Sequence, residues 1–211
     1  MARIEGHVTW LCVVVAMVVC LGGGVEAGRG LLQASCPSPV LPDVNLPAYL
    51  GVWYEIGSTA LIKTRTESGL ACSTARYSLI QSGPNAQSIR VRNEGYNTTS
   101  GEYSTIIGIA SVTGRSLRVS FPPGPDADYR IIYLKGDAED RYDTAVVYSC
   151  DAGQSGGFQS LYILSRKPTL DSDESVAGII EYARTQGITL EATNQFVYTD
   201  QDGITCGRND D

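Results

Sequence analysis

The fold of this chain is decided by the stretch Tyr49-Leu50-Gly51-Val52-Trp53-Tyr54-Glu55-Ile56, which opens its first strand-like run. Gly51 allows a tight bend where the chain enters the strand, and the Trp53 indole needs a cover over its exposed face. A guanidinium can stack there, and Arg166 follows the last strand-like run. The residues expected to join the first strand to the last are Gly51, Trp53, Tyr54 and Arg166.

Turn residues at short, regular intervals divide the chain into eight β-type runs. This layout predicts an all-β domain, an eight-stranded up-and-down antiparallel barrel whose first and last strands meet. The predicted strands are 53–61, 71–80, 88–96, 102–112, 116–121, 128–134, 144–150 and 158–165, with a short ninth strand at 195–198.

Alternation assigns the faces of two strands. In 88–93 the two arginines share one parity and must face water, and the last strand alternates in the same way. The residues predicted to face inward are Ile89, Val91, Asn93, Tyr162 and Leu164.

The outward parity of the last strand is also apolar, at Leu161 and Ile163, so a helix should cover it. The candidate C-terminal helix begins at Pro168, has acidic residues in its first turn and ends at Gly187. Its apolar face would consist of Val176, Ile179, Ile180 and Ala183.

Residues 1–27 have the features of a secretory signal peptide. Arg3 precedes a mainly apolar stretch, 8–21, and Val25 and Ala27 occupy the small-residue positions of a cleavage site. The stretch is shorter than the roughly 20 residues that span a bilayer, which disfavours the alternative of an uncleaved anchor. Residues 28–211 then form one domain, in which no later stretch is long and apolar enough to span a membrane.

The formal net charge is −7, and no run of Lys or Arg occurs. Binding to nucleic acid or to an anionic membrane surface is therefore not expected. The sequon Asn97-Thr98-Thr99 predicts glycosylation at Asn97. We expect a secreted, extracellular protein, and the sequence leaves its oligomeric state open.

Four of the six cysteines remain after the predicted signal peptide: Cys36, Cys72, Cys150 and Cys206. An even number in an oxidising compartment predicts two disulfides, and the wide spacing argues against a zinc or redox motif. The residues alone allow three pairings.

The run 49–56 and the later run Tyr142-Asp143-Thr144-Ala145-Val146-Val147-Tyr148-Ser149-Cys150 resemble the two signature motifs of the lipocalins. The resemblance extends from about Cys36 to Cys206. The sequences of the two motifs are most similar to those of apolipoprotein D and the bacterial outer-membrane lipocalins. Two departures occur: Leu46 and Pro47 are inserted before Tyr49, and the second motif reads Tyr-Asp-Thr where many members have Thr-Asp-Tyr.

This resemblance implies the disulfides Cys36–Cys150 and Cys72–Cys206, and it implies a barrel that holds one small hydrophobic ligand. The cavity-lining positions that it implies are Tyr77, Asn93, Tyr129, Tyr162 and Leu164. Parity independently supports Asn93, Tyr162 and Leu164. Each tyrosine can equally be a core residue with a satisfied hydroxyl, and Tyr162 stands where the relative has a tryptophan.

Catalysis is not expected. The single histidine, His7, lies in the predicted signal peptide, so residues 28–211 offer no imidazole for a nucleophile system, a zinc site or a haem. Cys72 is the nearest candidate for a reactive thiol, but two disulfides would leave no free thiolate. We expect no catalytic residue, no metal and no cofactor.

The leading hypothesis is a secreted carrier or scavenger of a fatty acid, sterol, retinoid, carotenoid or bilin. One alternative is a lipocalin-type enzyme acting on a lipid or carotenoid, which a free thiol in the folded protein would favour. Another is an empty barrel that binds other proteins through its loops, which the absence of extractable lipid would favour.

Overall fold

The computed structural model describes residues 36–81, 88–124, 126–152, 158–203 and 205–206. The predicted signal peptide, 1–27, and the turn segments 82–85 and 153–157 lie outside the described residues. The strands are β1 (Gly51–Thr59), β2 (Leu70–Gln81), β3 (Ser88–Asn97), β4 (Glu102–Thr113), β5 (Ser116–Ser120), β6 (Ala127–Gly136), β7 (Tyr142–Asp151), β8 (Phe158–Ser165) and β9 (Phe196–Tyr198). The helices are α1 (Leu46–Tyr49), α2 (Ala60–Arg65) and α3 (Val176–Thr185), with a 3₁₀ turn at Ala192–Asn194.

Eight of these strands close an antiparallel barrel. Neighbours pair in the order β2-β3-β4-β5-β6-β7-β8-β1, and β1 also pairs with β2, which completes the ring. Residues 51–54 of β1 contact β2, residues 54–58 contact β8, and residues 57–59 contact β9. The predicted up-and-down barrel is confirmed, and β9 extends the wall where β1 and β2 separate.

Alternation along β8 divides the apolar side chains between two layers. Leu164 belongs to a cluster inside the barrel, with Tyr162 packed against it. Leu161 and Ile163 are fully buried on the outside of the same strand, beneath α3. The helix contributes Val176, Ile179 and Ala183 to that outer cluster. The C-terminal helix therefore covers the outer face of the barrel, as predicted from the parity of β8.

The predicted start of this helix at Pro168 is wrong. α3 begins at Val176, and the side chain of its N-cap, Ser175, accepts a hydrogen bond from the N–H of Gly178 at 3.1 Å. The acidic residues expected in its first turn precede it, and the Glu174 carboxylate instead accepts a hydrogen bond from the Thr144 hydroxyl on β7. Glu174 and Asp173, which binds Lys135 on β6, attach the connecting loop to the barrel, which explains their presence without a helix.

The predicted strand 53–61 is wrong at its C-terminal end, because β1 stops at Thr59 and α2 follows. The N–H of Ala60 donates to the Gln195 carbonyl at 2.8 Å, and the N–H of Leu61 donates to Asn194 Oδ1 at 2.9 Å. These donors at the start of a helix have no partner within it. Since their acceptors come from a distant segment, the local sequence does not reveal the helix.

Arg166 closes the end of the barrel at which β1 begins, here called the Trp53 end. Its guanidinium carbon lies 3.8 Å from the centroid of the Trp53 ring. Burial lowers the pKa of Arg166 to about 10, so the group stays charged at neutral pH. The guanidinium nitrogens donate to the carbonyls of Val52 at 2.7 Å, Leu50 at 2.9 Å, Ala48 and Tyr142 at 3.0 Å and Tyr49 at 3.1 Å.

Gly51 lies directly beneath this guanidinium. Its φ of +101° falls in the left-handed region, and a Cβ there would come within 3.3 Å of Arg166 Nη1. Trp53 is fully buried and donates from its indole nitrogen to the Tyr49 carbonyl at 2.8 Å. Tyr54 follows on the opposite, outward parity of β1 and is half-buried. The structure thus brings Gly51, Trp53 and Arg166 into one contact.

We predict that Arg166→Ala lowers the free energy of unfolding by about 3 kcal/mol or more, because several part-buried carbonyls lose a charged donor. Arg166→Lys should recover less than half of that loss, since one ammonium cannot reach carbonyls that a planar guanidinium spans. Urea unfolding measures both effects. Arg90→Ala, which removes an exposed guanidinium from the outer face of β3, is the control. A Lys variant as stable as the wild type would contradict this account.

The C-terminal segment after β9 fills the gap between β1 and β2. The N–H of Thr199 donates to the Ile56 carbonyl at 3.0 Å, and the N–H of Cys72 donates to the Asp200 carbonyl at 2.7 Å. The side-chain amide of Gln201 donates to the carbonyl of Ser73 on β2 and to the carbonyl of Glu55 on β1. The disulfide Cys72–Cys206 follows this segment, and Cys36–Cys150 is the other disulfide. These are the pairs that the family resemblance implies.

We predict that the double variant Cys72→Ser/Cys206→Ser frees this segment and lowers the free energy of unfolding by roughly 2–5 kcal/mol. Hydrogen exchange at the Thr199 amide should accelerate, since local opening no longer works against a covalent tether. The matched control is Cys36→Ser/Cys150→Ser, which removes the other disulfide and should leave exchange at Thr199 much slower. Equal acceleration in both variants would show that the tether does not hold the segment.

Candidate functional site

The five residues expected to line the cavity all lie on the interior side of the barrel wall. Tyr77 and Leu164 belong to the buried interior cluster, and Tyr129 and Tyr162 pack against it. Asn93 continues the inward parity of β3. Tyr77 and Leu164 are only 5% and 4% exposed, so they form the packed floor of the interior. Asn93, Tyr129 and Tyr162 keep part of their surface accessible and lie on the interior side of this floor.

Tyr129 and Tyr162 form a stacked pair across the interior, with ring centroids 5.8 Å apart and planes at 24°. Burial raises the pKa of both phenols, that of Tyr129 to about 12. Both nevertheless keep part of their surface accessible to solvent. Because both side chains lie on the inner side of a closed barrel, this remaining surface lies within the barrel interior.

Tyr49 is an interior residue that sequence reasoning missed. Its ring lies 5.1 Å from that of Trp53 and 5.2 Å from that of Tyr77. Burial raises the pKa of Tyr49, and the nearby Tyr77 hydroxyl acts to lower that pKa. The Tyr49 hydroxyl makes no hydrogen bond of normal geometry within the described residues. Tyr49 was overlooked because it precedes the strand, and α1 turns it inward.

A buried ionic group at the other end of the interior was also missed. Glu55 shares the inward parity of Trp53 and is 5% exposed. Lys63 on α2 forms ion pairs with Glu55 and with Glu67, the latter at 2.7 Å. The Thr199 hydroxyl donates to Glu55 at 2.7 Å. The parity of Glu55 and the four-residue spacing of Lys63 and Glu67 are the signals in the sequence that point to this group.

Glu67 is the titratable member of this group. Burial and, next, the negative charge of Glu55 raise its pKa to about 7, although Lys63 acts to lower it. The negative charges of Glu67 and Glu55 also raise the pKa of Tyr129 and Tyr162. The ionic group therefore lies beside the stacked tyrosines, at the end of the cavity covered by α2, here called the α2 end.

Three further inward-facing polar atoms near the α2 end have no hydrogen-bond partner among the described residues: Ser58 Oγ, Ser73 Oγ and Asn93 Oδ1. Ser58 is fully buried and is paired with Tyr162, so it shares the inward face. Ser73 Oγ lies within 3.4 Å of the Cβ position of Gly95 on the inward parity of β3. Buried polar atoms normally have hydrogen-bond partners, so a polar group of a ligand at this end of the interior could supply the missing hydrogen bonds.

The described residues contain no group of His, Cys, Asp or Glu side chains arranged to hold a metal ion. Cys72, the candidate reactive thiol, is bonded to Cys206. The interior phenols are protonated at neutral pH, and burial raises their pKa values further above it, so they can donate and accept hydrogen bonds. This interior is chemically suited to binding.

The predicted glycosylation residue, Asn97, ends β3 at a turn. Its side-chain oxygen accepts hydrogen bonds from the N–H groups of Thr99 at 2.9 Å and Ser100 at 3.1 Å. The residues that follow it, 98–100, are exposed. In the described ranges, no helix is long and apolar enough to cross a membrane.

Comparison with solved structures finds the same fold. Apocrustacyanin C2 is 20% identical, with a TM-score of 0.58 over 76% of this chain and 81% of that chain. Per a 4, a major allergen from cockroaches, is 19% identical, with a TM-score of 0.57 over 82% of this chain and 99% of that chain. Lobster apocrustacyanin A1 is 20% identical, with a TM-score of 0.54 over 74% and 79% of the two chains.

At these identities the likeness shows the fold, and a family model gives the family. No curated protein is significantly similar to this chain. Residues 44–198, well over half of the chain, match the family model described as a lipocalin-like domain. The chain therefore belongs to the lipocalin family.

Proposed function

We propose that this lipocalin binds one small hydrophobic molecule in its barrel and acts as a secreted carrier or scavenger of it. The observation that supports this most directly is the stacked pair Tyr129–Tyr162, which is enclosed by the barrel and still partly accessible. Aromatic walls with a few polar groups are typical of sites for small hydrophobic ligands. The ligand classes proposed are fatty acids, sterols, retinoids, carotenoids and bilins.

Secretion is part of the same proposal. The features that support it are the signal-like residues 1–27, two disulfides that need an oxidising compartment, and the glycosylation sequon at Asn97. The amino-acid sequence of the run 49–56, together with the disulfide pairing, supports the proposal that the chain is most similar, within the family, to apolipoprotein D and the bacterial outer-membrane lipocalins. We propose no catalytic role, because the thiol that would serve one is engaged in the disulfide Cys72–Cys206.

A second candidate function is binding to another protein by an empty barrel. The observation that favours it is a pair of exposed isoleucines on the outer face of β4: Ile107 and Ile109 are 57% and 52% exposed. Exposed apolar patches on a monomer often mark interaction sites. Mass spectrometry of an organic extract separates the two functions, because only the carrier should release a bound lipid.

We predict that delipidated protein binds at least one of these ligand classes at about one molecule per barrel, the capacity of an eight-stranded barrel. Trp53 is the only tryptophan in residues 28–211, so a saturable change in its emission reports binding from one position. Isothermal titration calorimetry is the independent check. If no class binds by either method, the carrier function is wrong and the interaction function takes its place.

The variant Tyr162→Ala tests the position of the ligand. It removes aromatic surface of order 150 Å² from the cavity wall and should weaken binding by roughly tenfold. The matched control is Tyr198→Ala on β9, since that tyrosine is 68% exposed and outside the barrel interior. Binding that is unchanged in Tyr162→Ala but reduced in Tyr198→Ala would place the ligand on the outer surface.

A further inference from the structure

The polar patch at the α2 end consists of Glu55, Lys63, Glu67, Ser58, Ser73 and Asn93. Lys63 is the basic side chain of this patch, and it already forms ion pairs with two carboxylates. Its side chain is 11% exposed, and those of Glu55 and Glu67 are 7% and 19% exposed. The patch therefore contains one more acid than base, with little water around it.

An excess carboxylate in such a site is costly unless a donor or a cation compensates it. The raised pKa of Glu67, about 7, is consistent with this excess, since burial and Glu55 both oppose its ionisation. Above about pH 7, where Glu67 is ionised, a bound carboxylate would place a third negative charge beside Glu55 and Glu67. A hydrogen-bond donor would instead offset the charge already present.

The unpartnered atoms point in the same direction. Asn93 Oδ1 can only accept a hydrogen bond, and it has no donor among the described residues. Ser58 is fully buried and Ser73 is 7% exposed, and their hydroxyls can either accept or donate, so the preference for a donor comes from Asn93 Oδ1 and the excess carboxylate. Inward-facing atoms of this kind, without protein partners, are independent evidence that a ligand group is meant to lie beside them.

We propose that this patch holds the polar end of an amphipathic ligand that donates hydrogen bonds and carries no negative charge, an amine or an alcohol. The same apolar chain ended by a carboxylate binds much more weakly. This inference rests on the proposed function, because it places the ligand in the barrel with its apolar body against Tyr129 and Tyr162. It narrows the ligand class, which the proposed function leaves open.

The affinity for an amine and the affinity for an alcohol should depend on pH in different ways. The charged and titratable groups around Glu67 are Glu55 on β1, Lys63 on α2, Tyr129 on β6 and Tyr162 on β8. Between about pH 6 and about pH 8 Glu67 loses its proton, whereas an alkyl ammonium group keeps its own. Affinity for an amine should rise over this range, and affinity for an alcohol should change little.

The test uses three ligands with the same ten-carbon chain: decylamine, 1-decanol and decanoate. Each displaces the neutral probe N-phenyl-1-naphthylamine from the full, delipidated protein at about pH 6 and about pH 8, and calorimetry measures the same affinities directly. At the higher pH, decylamine or 1-decanol should bind roughly tenfold or more tightly than decanoate, the usual scale for a hydrogen bond to a charged group.

Glu67→Gln keeps the shape of the side chain and removes its charge, so the discrimination against decanoate should fall to about threefold or less. The matched control is Glu139→Gln, which removes one negative charge from an exposed turn at the other end of the barrel and should leave the discrimination intact. Circular dichroism and thermal unfolding confirm that both variants are folded.

Three outcomes would overturn the inference. Decanoate could bind as tightly as the two donors, Glu67→Gln could retain the full discrimination, or the probe could bind while no decyl ligand displaces it. Any of these leaves the proposed binding function standing, because the barrel still holds an apolar molecule. If neither the probe nor any decyl or larger ligand binds, the proposed function itself fails.

Discussion

The contact of Arg166 with the start of β1 is the interaction on which the rest of the structure depends. One guanidinium covers the Trp53 ring and donates to five carbonyls from β1, β7 and the end of α1. It therefore fixes the last strand to the first and holds the short helix that carries Tyr49 inward. With this end packed solid, the space left inside the barrel lies toward the α2 end.

The α2 end depends on a different set of bonds, which the C-terminal segment provides. Asn194, just before β9, caps α2, and Thr199, just after β9, donates to the Glu55 carboxylate. Glu55 in turn binds Lys63, and Lys63 binds Glu67. The residues that complete the barrel wall between β1 and β2 thus also position the polar patch, so the integrity of the wall and the geometry of the cavity are linked.

The barrel and the faces of its strands could be predicted from the sequence because alternation is a local pattern. The inward parity of Asn93, Tyr162 and Leu164 was readable within single strands, as was the need for a helix over Leu161 and Ile163. The patch could not be predicted, because Glu55, Lys63 and Thr199 meet only after distant segments pair. The start of α3 was misjudged for the same reason, since Glu174 binds β7 across a tertiary contact instead of starting the helix.

The interior therefore changes in polarity along its axis. Trp53 and Tyr49 are fully buried at one end, protonated tyrosines lie in the middle, and partly exposed charges lie at the other end. A polar head group at the α2 end gives up less of its hydration than it would at the Trp53 end, because Glu67 keeps some contact with water. This gradient favours one orientation of an amphipathic ligand, with its apolar body toward the packed floor, and the orientation follows from where the chain places its charges.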